Sequence, residues 1–106
     1  MTSEQLTVTL AHRVMRWGAG PDRFLLGGRR WLPRWRFRPD QCLTDAFRLL
    51  EEANPEQYAM GSEKRGEFWV RVGIAGNVGE ARNTSKPKAI TLAVARALGI
   101  DVGANL

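Results

Sequence analysis

The strongest structural pattern in the chain is TSKPKAITLAVARALG at residues 84–99, which predicts a helix with defined ends. Thr84 or Ser85 can accept hydrogen bonds from the free backbone N–H groups of the first turn. Pro87 suits that turn because its missing N–H would have no partner there, and Gly99 can end the helix in a left-handed conformation. The helix should bury an apolar stripe. The side chains of this stripe are Ile90, Ala93, Val94, Ala97 and Leu98.

The sequence before this helix predicts antiparallel strands joined by short turns. Apolar residues alternate along residues 68–74, and residues 58–60 and 78–82 are the neighbouring strand candidates. The polar residues 62–66 and the pair Gly76-Asn77 would form the turns. The strand side chains expected to face the core are Phe68, Val70, Val72 and Ile74.

Two further helices are predicted. Thr2 and Gln5 have the spacing of a capping box, and apolar residues then recur at helical spacing as far as residue 17. A second helix should begin at Pro39-Asp40 and end near Asn54-Pro55. The stripe that it should bury consists of Leu43, Ala46, Phe47 and Leu50.

The segment between these helices contains a candidate hairpin followed by alternating aromatic residues and arginines. Gly27-Gly28 allows the positive φ angles of a tight turn. A strand over residues 31–38 would point Trp31, Trp35 and Phe37 toward the core and the intervening arginines outward. Because Pro33 interrupts this strand, an edge position or a bend is favoured.

Size and composition are those of one α/β domain covering residues 1–106. With 43% hydrophobic residues, the chain can form an α/β (α+β) sandwich of three helices packed on a small, largely antiparallel sheet. Cys42 and His12 are each the single residue of their type, which excludes a disulfide within the chain and a multi-cysteine zinc site. We therefore expect no metal site and no cofactor. The apolar runs are too short for a membrane span and residues 1–4 lack the basic region of a signal peptide, so a cytoplasmic location is expected.

Positive charge is concentrated in one part of the sequence. Residues 13–38 contain eight arginines and one acidic residue, Asp22, so their local charge is +7, whereas the whole chain carries +5. Trp17, Trp31 and Trp35 lie among these arginines. Such a distribution favours an anionic partner for one face of the protein.

Nucleic acid, either DNA or RNA, is the candidate anion. Arginines can pair with phosphates, and an exposed tryptophan can stack on bases. The candidate binding residues are Arg29, Arg30, Arg34, Arg36, Arg38, Lys86 and Lys88. The alternative is structural, with tryptophans in the core and arginines as a solvated sheet edge that prevents aggregation.

No catalytic set is visible in the sequence. His12 has neither a second ligand nor a carboxylate at helical spacing, and Cys42 has no base partner, so both are expected to be structural. Gly73, Gly76 and Gly79 do not have the spacing of a phosphate-binding loop. We therefore predict no catalytic residues and no enzymatic activity.

Several short segments together resemble a family of small phage and prophage proteins, the phage ABA sandwich domain. These segments are Val14-Met15-Arg16-Trp17, Phe37-Arg38-Pro39-Asp40, Phe68-Trp69-Val70, Glu80-Ala81-Arg82 and Thr84-Ser85-Lys86-Pro87-Lys88-Ala89-Ile90. The resemblance implies an α/β sandwich and a phage or prophage origin, hence a bacterial host cytoplasm. It implies no catalytic residue, because the family has no settled activity.

The last helix also resembles the closing helix of double-stranded RNA-binding domains. The matching residues are Ser85, Lys86, Ala89, Ala93, Ala97 and Leu98. In that family, lysines at the helix start bridge phosphates across the RNA major groove, which would give Lys86 and Lys88 the same role. This chain differs by Pro87, by Ile90 and by the additional helix predicted over residues 39–53.

Two function classes follow from the sequence. In the first, the protein is a non-enzymatic phage-type protein that binds nucleic acid through its arginine-rich face. In the second, it is a protein-interaction module without a nucleic-acid role, which docks a phage protein, a host protein or a second copy of itself. Neither class involves a membrane.

Overall fold

A computed structural model describes residues 1–103, which contain three α-helices and six β-strands. The helices are α1 (Ser3–Arg13), α2 (Leu43–Glu52) and α3 (Lys86–Ala97). The strands are β1 (Gly18–Ala19), β2 (Arg23–Gly27), β3 (Arg30–Pro33), β4 (Gln57–Ser62), β5 (Phe68–Ile74) and β6 (Asn77–Asn83). A short 3-10 helix, Arg34–Arg36, follows β3 directly.

The strands form two antiparallel sheets of three strands each. Sheet A has the order β1-β2-β3, and sheet B has the order β4-β5-β6. The predicted class, three helices with small antiparallel sheet structure, is confirmed, although the strands divide into two sheets. They divide because the chain leaves sheet A at Pro33 and passes through the 3-10 helix and α2 before β4 begins.

Both predicted hairpins are present, but each turn is displaced by one residue. Gly28 (φ +62°) and Arg29 connect β2 to β3, and Gly27 (φ +105°) ends β2 opposite Arg30. Ala75 and Gly76 (φ +82°) connect β5 to β6, and Asn77 begins β6 opposite Ile74. In β5, Val70 and Val72 are buried as predicted. The flanking Phe68 and Ile74 are partly buried and pack against the core.

Helix α3 is the central element of the fold. It packs on β5, β6 and α2, and eight of its twelve residues are buried. Its predicted ends are confirmed: the Ser85 hydroxyl accepts a hydrogen bond from the Lys88 N–H at 3.4 Å, and Gly99 has φ of +75°. Ile90, Ala93 and Val94 of the predicted stripe are fully buried. Burial extends beyond the stripe because neighbours contact this helix from more than one side.

The closest approach between α3 and sheet B occurs at Gly79. A Cβ atom at this position would collide with the Ala93 carbonyl oxygen and the Ala97 amide nitrogen, which are backbone atoms of the helix. Backbone atoms in a packed helix cannot move aside as a flexible side chain can. Gly79 therefore sets the distance at which α3 lies on the sheet.

We expect Gly79→Ala to destabilise the protein by about 3 kcal/mol, the upper end of the range for over-packed cores. The matched control is Gly73→Ala, which is in the same sheet and whose Cβ would lie 3.3 Å from Cγ of the flexible Gln57 side chain and at an ordinary contact distance, 3.7 Å, from the Gln57 carbonyl oxygen. The control should change the free energy of unfolding by less than about 1 kcal/mol. Urea denaturation midpoints measure both effects. Equal midpoints for the two variants would contradict this account of the helix–sheet contact.

A cluster of three aromatic rings lies between sheet A and the rest of the core. The Trp17 and Phe37 ring centroids are 5.0 Å apart, and Phe24 lies 5.8 Å from Trp17 and 6.0 Å from Phe37. Phe24 and Phe37 are fully buried, and Trp17 is nearly so. These edge-to-face and tilted contacts are favourable aromatic geometries.

Helix α1 is capped by Thr2 and Gln5 as predicted, but it ends at Arg13 and not at residue 17. Arg16 has a left-handed φ of 60°, and the Trp17 N–H donates to the Ala11 carbonyl oxygen at 3.0 Å. This reversal turns the Trp17 ring into the aromatic cluster. A helix that continued to residue 17 would not have placed the ring there.

The predicted strand over residues 31–38 is wrong beyond Pro33. β3 ends at that proline, which lacks an N–H for strand pairing, and the next three residues form the 3-10 helix. Phe37 is buried as predicted, but Trp31 and Trp35 are 54% and 63% exposed. Their inward orientation is therefore a second error. The inner face of β3 is supplied by Leu32, which pairs with Phe24.

Helix α2 begins later than predicted. Residues 38–41 form a turn in which the Cys42 N–H donates to the Arg38 carbonyl oxygen, and the helix starts at Leu43. Of the predicted stripe, Ala46 and Leu50 are buried, whereas Leu43 and Phe47 are 42% and 37% exposed. The buried face is rotated toward Leu49, since this is the side that packs on α3.

Phe37 and Trp35, both predicted to point toward the core, should differ in how much stability is lost on substitution by alanine. Phe37→Ala empties a buried aromatic site and should cost about 3–5 kcal/mol. Trp35→Ala, at a largely exposed site, should change stability by no more than about 0.5 kcal/mol. Chemical denaturation followed by far-ultraviolet circular dichroism measures both. A large loss for Trp35→Ala would show that its ring is packed in solution.

Candidate nucleic-acid interface

The tip of the β2–β3 hairpin carries two exposed arginines, Arg29 and Arg30. Arg29 lies in the turn with Gly28, and Arg30 begins β3 opposite Gly27. Within residues 1–103, neither guanidinium forms an ion pair with an acidic side chain. Both charges are therefore free to meet an external anion.

The outer face of sheet A is partly aromatic and apolar. Leu25 lies opposite Trp31 in the β2–β3 register, and the two are 49% and 54% exposed. The Arg23 guanidinium lies over the Trp31 ring, 4.6 Å from its centroid. This is a cation–π geometry in which the arginine covers part of the indole.

Arg23 is an arginine of this face whose positive charge is balanced by a neighbouring carboxylate, that of Asp22. Its Nε donates to the Asp22 carboxylate at 2.9 Å. The hydrogen bond from Arg23 holds the pKa of Asp22 below its ordinary value of 3.8, and the same contact raises the pKa of Arg23. Asp22 is therefore ionised at neutral pH and offsets this one positive charge.

The 3-10 helix presents a second exposed tryptophan. The Arg36 guanidinium carbon lies 5.4 Å from the centroid of the Trp35 ring. Arg38, two residues on, donates to the Gln41 side-chain oxygen at 3.3 Å. Neither Arg36 nor Arg38 pairs with an acidic side chain in the described part of the chain. We use the name Arg–Trp surface for Arg29, Arg30, Trp31, Trp35, Arg36 and Arg38.

Arg34 is oriented differently from its neighbours. Its Nη2 donates to the Gly20 carbonyl oxygen at 2.6 Å and its Nη1 to the Glu4 carboxylate at 3.3 Å, and its side chain is 26% exposed. Its guanidinium also lies 5.7 Å from the Phe24 ring centroid. These contacts tie the 3-10 helix to α1 and to the β1–β2 loop, so the expected outward position of Arg34 is wrong.

A cleft of about 490 Å³ opens beside Trp35. It lies between α1, the β1–β2 loop, the 3-10 helix and the turn before α2. The residues that line it are Ser3, Glu4, Thr7, Val8, Pro21, Asp22, Phe24, Arg34, Trp35, Phe37, Arg38, Asp40 and Gln41. Trp35 and Arg38 thus belong both to the cleft and to the Arg–Trp surface.

The two candidate lysines occupy another part of the fold. Lys86 and Lys88 lie in the first turn of α3, beside sheet B, with the Lys86 ammonium 5.6 Å from the Phe68 ring centroid. No hydrogen bond or ion pair of residues 1–103 connects them to the arginines of sheet A. The seven candidate residues thus lie on three parts of the fold: the β2–β3 hairpin, the 3-10 helix with the residue two positions after it, and the first turn of α3.

His12 and Cys42 are both exposed. Among residues 1–103, no three side chains of the types His, Cys, Asp and Glu are grouped so that they could hold a metal ion. No helix in the same range combines the length and the apolar character needed to cross a membrane.

Comparison with solved structures reveals a shared fold. A phage protein from Bacillus cereus ATCC 14579, known from its crystal structure, aligns with this chain at a TM-score of 0.76. The chain has the fold of a phage protein. The alignment covers 97% of this chain and 93% of the other, at 16% sequence identity. No protein-family model and no curated protein matches the sequence.

Sequence reasoning missed the Arg23–Trp31 stack and the cleft. The stack depends on the strand register: a two-residue turn at Gly27-Gly28 would place Phe24 opposite Trp31, whereas the observed shift between Leu25 and Gly27 places Leu25 there and Arg23 on the same face. No sequence signal marks the cleft. Its residues come from three separate stretches of the sequence, 3–8, 21–24 and 34–41, and only tertiary packing brings them together.

The distinct roles of the arginines can be measured. Arg34→Ala removes hydrogen bonds from a charged group to Gly20 and Glu4, and should cost about 1.5–3 kcal/mol of stability. Arg36→Ala, the matched control two residues along, should change the free energy of unfolding by less than about 0.5 kcal/mol. Thermal and urea unfolding give both values. If Arg34→Ala is as stable as Arg36→Ala, the inward contacts of Arg34 do not stabilise the fold.

Proposed function

We propose that this protein is a non-enzymatic phage or prophage protein that binds nucleic acid through the Arg–Trp surface. The observation that carries the proposal is the alternation of uncompensated arginines with two tryptophans that are more than half exposed. The fold of the Bacillus cereus phage protein supports the phage origin. The resemblance to the phage ABA sandwich domain and a location in the bacterial cytoplasm belong to the same proposal.

The electrostatic support comes from the distribution of ion pairs. In sheet B, Arg71 pairs with Glu80 at 3.5 Å and Arg82 with Glu63 at 2.8 Å. The arginines of the Arg–Trp surface have no such partners among residues 1–103. Phosphates that displace counterions at unpaired arginines supply salt-dependent affinity.

The exposed tryptophans support the same function. An exposed indole forfeits the hydrophobic stabilisation that burial would provide, so two of them on one surface suggest a partner that covers them. Stacking of a base on an aromatic ring contributes about 1–3 kcal/mol and is tolerant of sequence. The likeness of α3 to the closing helix of double-stranded RNA-binding domains adds Lys86 and Lys88 as a second phosphate contact.

A protein partner is the second candidate, and one observation favours it. β3 is an edge strand of sheet A, and the exposed pair Leu25 and Trp31 lies beside that edge. A phage protein, a host protein or a second copy of this chain could extend the sheet there and cover the apolar pair. Such binding would depend weakly on salt.

The double variant Arg36→Gln/Arg38→Gln tests the proposal. It should weaken binding to all sequences alike and reduce the slope of log affinity against log salt by about 0.9 per lost phosphate contact on duplex DNA, or about 0.7 on single strands. The charge-matched control is Lys64→Gln/Arg65→Gln in the β4–β5 turn of sheet B, which should leave the slope unchanged. Fluorescence anisotropy with labelled oligonucleotides over a salt series measures both.

Two outcomes would overturn this proposal. One is wild-type protein that binds neither DNA nor RNA at low salt, where electrostatic attraction is strongest. The other is an equal effect of the two double variants, which would indicate attraction by net charge alone. Adding Lys86→Gln/Lys88→Gln to the first variant shows whether α3 contacts the same phosphate backbone.

A further inference from the structure

We propose that the cleft beside Trp35 receives an unpaired nucleobase, so that the nucleic acid recognised by this protein is single-stranded. This inference rests on the proposed function and specifies its substrate class. The feature behind it is the position of Trp35, whose exposed ring belongs to the basic surface and also lines the cleft.

The dimensions and the apolar part of the cleft suit a base. Its volume of about 490 Å³ lies within the usual range of small-molecule sites. Val8 lines it with apolar atoms in front of the fully buried Phe24 and Phe37, and the exposed Trp35 ring offers an accessible aromatic face. A flat heterocycle can bury its faces against such walls while its sugar and phosphate stay outside.

The charges of the cleft disfavour a phosphate as its occupant. Glu4, Asp22 and Asp40 line it, against Arg34 and Arg38. Arg34 is already bound by Glu4 and by the Gly20 carbonyl. A phosphate entering here would meet three carboxylates and one available guanidinium, whereas Arg29, Arg30 and Arg36, outside the cleft, form no ion pair with an acidic side chain of residues 1–103.

The same carboxylates can recognise base edges. Asp22 uses both carboxylate oxygens on Arg23, whereas among residues 1–103 Asp40 receives a hydrogen bond at Oδ2, from the Ser3 hydroxyl, and none at Oδ1. Oδ1 of Asp40 can therefore accept an N–H donor, and each of the bases carries one on its Watson–Crick edge. Gln41 lies beside it with its amide oxygen engaged by Arg38 and its NH₂ group able to donate.

Selection for single strands follows from this placement. In a duplex the Watson–Crick edges are paired and the bases are stacked, so insertion of one base costs a few kcal/mol. On a single strand that cost largely disappears. Arg36 and Arg38 then lie close enough to Trp35 in the chain to hold the flanking phosphates.

The experiment compares a labelled 20-nucleotide single strand with its duplex, as DNA and as RNA, by anisotropy at fixed salt. Wild type should bind the single strand at least tenfold more tightly. Trp35→Ala should lower single-strand affinity about tenfold, since one stacked base contributes about 1–3 kcal/mol, and leave duplex affinity within about twofold. Trp35→Phe keeps an aromatic face and should recover most of the loss.

A second variant tests insertion as distinct from stacking on the surface. Val8→Phe adds a ring to the wall of the cleft without altering the Arg–Trp surface, and should reduce single-strand affinity as Trp35→Ala does. The urea midpoint checks that both variants are folded. Oligonucleotides with abasic positions should bind the wild type more weakly than intact strands.

Equal affinity of wild type for single strand and duplex would overturn the inference, as would equal losses on both for Trp35→Ala. Val8→Phe with unchanged affinity would also overturn it. In each case the proposed function still stands if Arg36→Gln/Arg38→Gln weakens binding. Absence of any nucleic-acid binding overturns the inference and the proposed function together.

Discussion

The close contact of α3 with sheet B at Gly79 is the constraint on which the rest of the structure depends. Because no Cβ intervenes, the helix backbone lies directly on β6. α2 then packs on the other side of α3. The end of α3 also contacts α1, because the Arg13 guanidinium donates to the Leu98 carbonyl oxygen at 3.2 Å. The Ile100 N–H donates to the Ala95 carbonyl oxygen of α3 at 3.0 Å. The position of sheet A follows from these contacts, since β1 packs on α1.

The two sheets differ in the apolar and charged side chains that their outer surfaces leave exposed. Sheet B buries one face under α3 and neutralises charges of the other by cross-strand ion pairs such as Arg71 with Glu80. Sheet A buries Phe24 but exposes Leu25, Trp31 and, at its hairpin, Arg29 and Arg30, which form no ion pair with an acidic side chain of residues 1–103. Exposed apolar and charged groups are thus concentrated on sheet A, away from the helix–sheet packing at Gly79.

The likeness to the Bacillus cereus phage protein at 16% identity is consistent with this division. A fold is maintained by the burial pattern and by a few close contacts, and many sequences satisfy both. Surface side chains are not constrained in that way, and a shared fold does not carry a shared function.

The sequence by itself determined the elements whose signals are local. The caps of α1 and α3 and the alternation in β5 depend on residues within a few positions of one another, and they are confirmed. The hairpin predicted at the glycine pair also forms, with its turn one residue later, at Gly28-Arg29. Tertiary structure decided where the aromatic residues point. Trp31, Trp35 and Phe37 all lie at odd-numbered positions, so a continuous strand would point them toward the same face. Pro33 ends the strand, and of the three only Phe37 packs beside Trp17 and Phe24. The cleft and the inward contacts of Arg34 also bring together segments that are distant in sequence. No local sequence pattern predicts how such segments pack against each other.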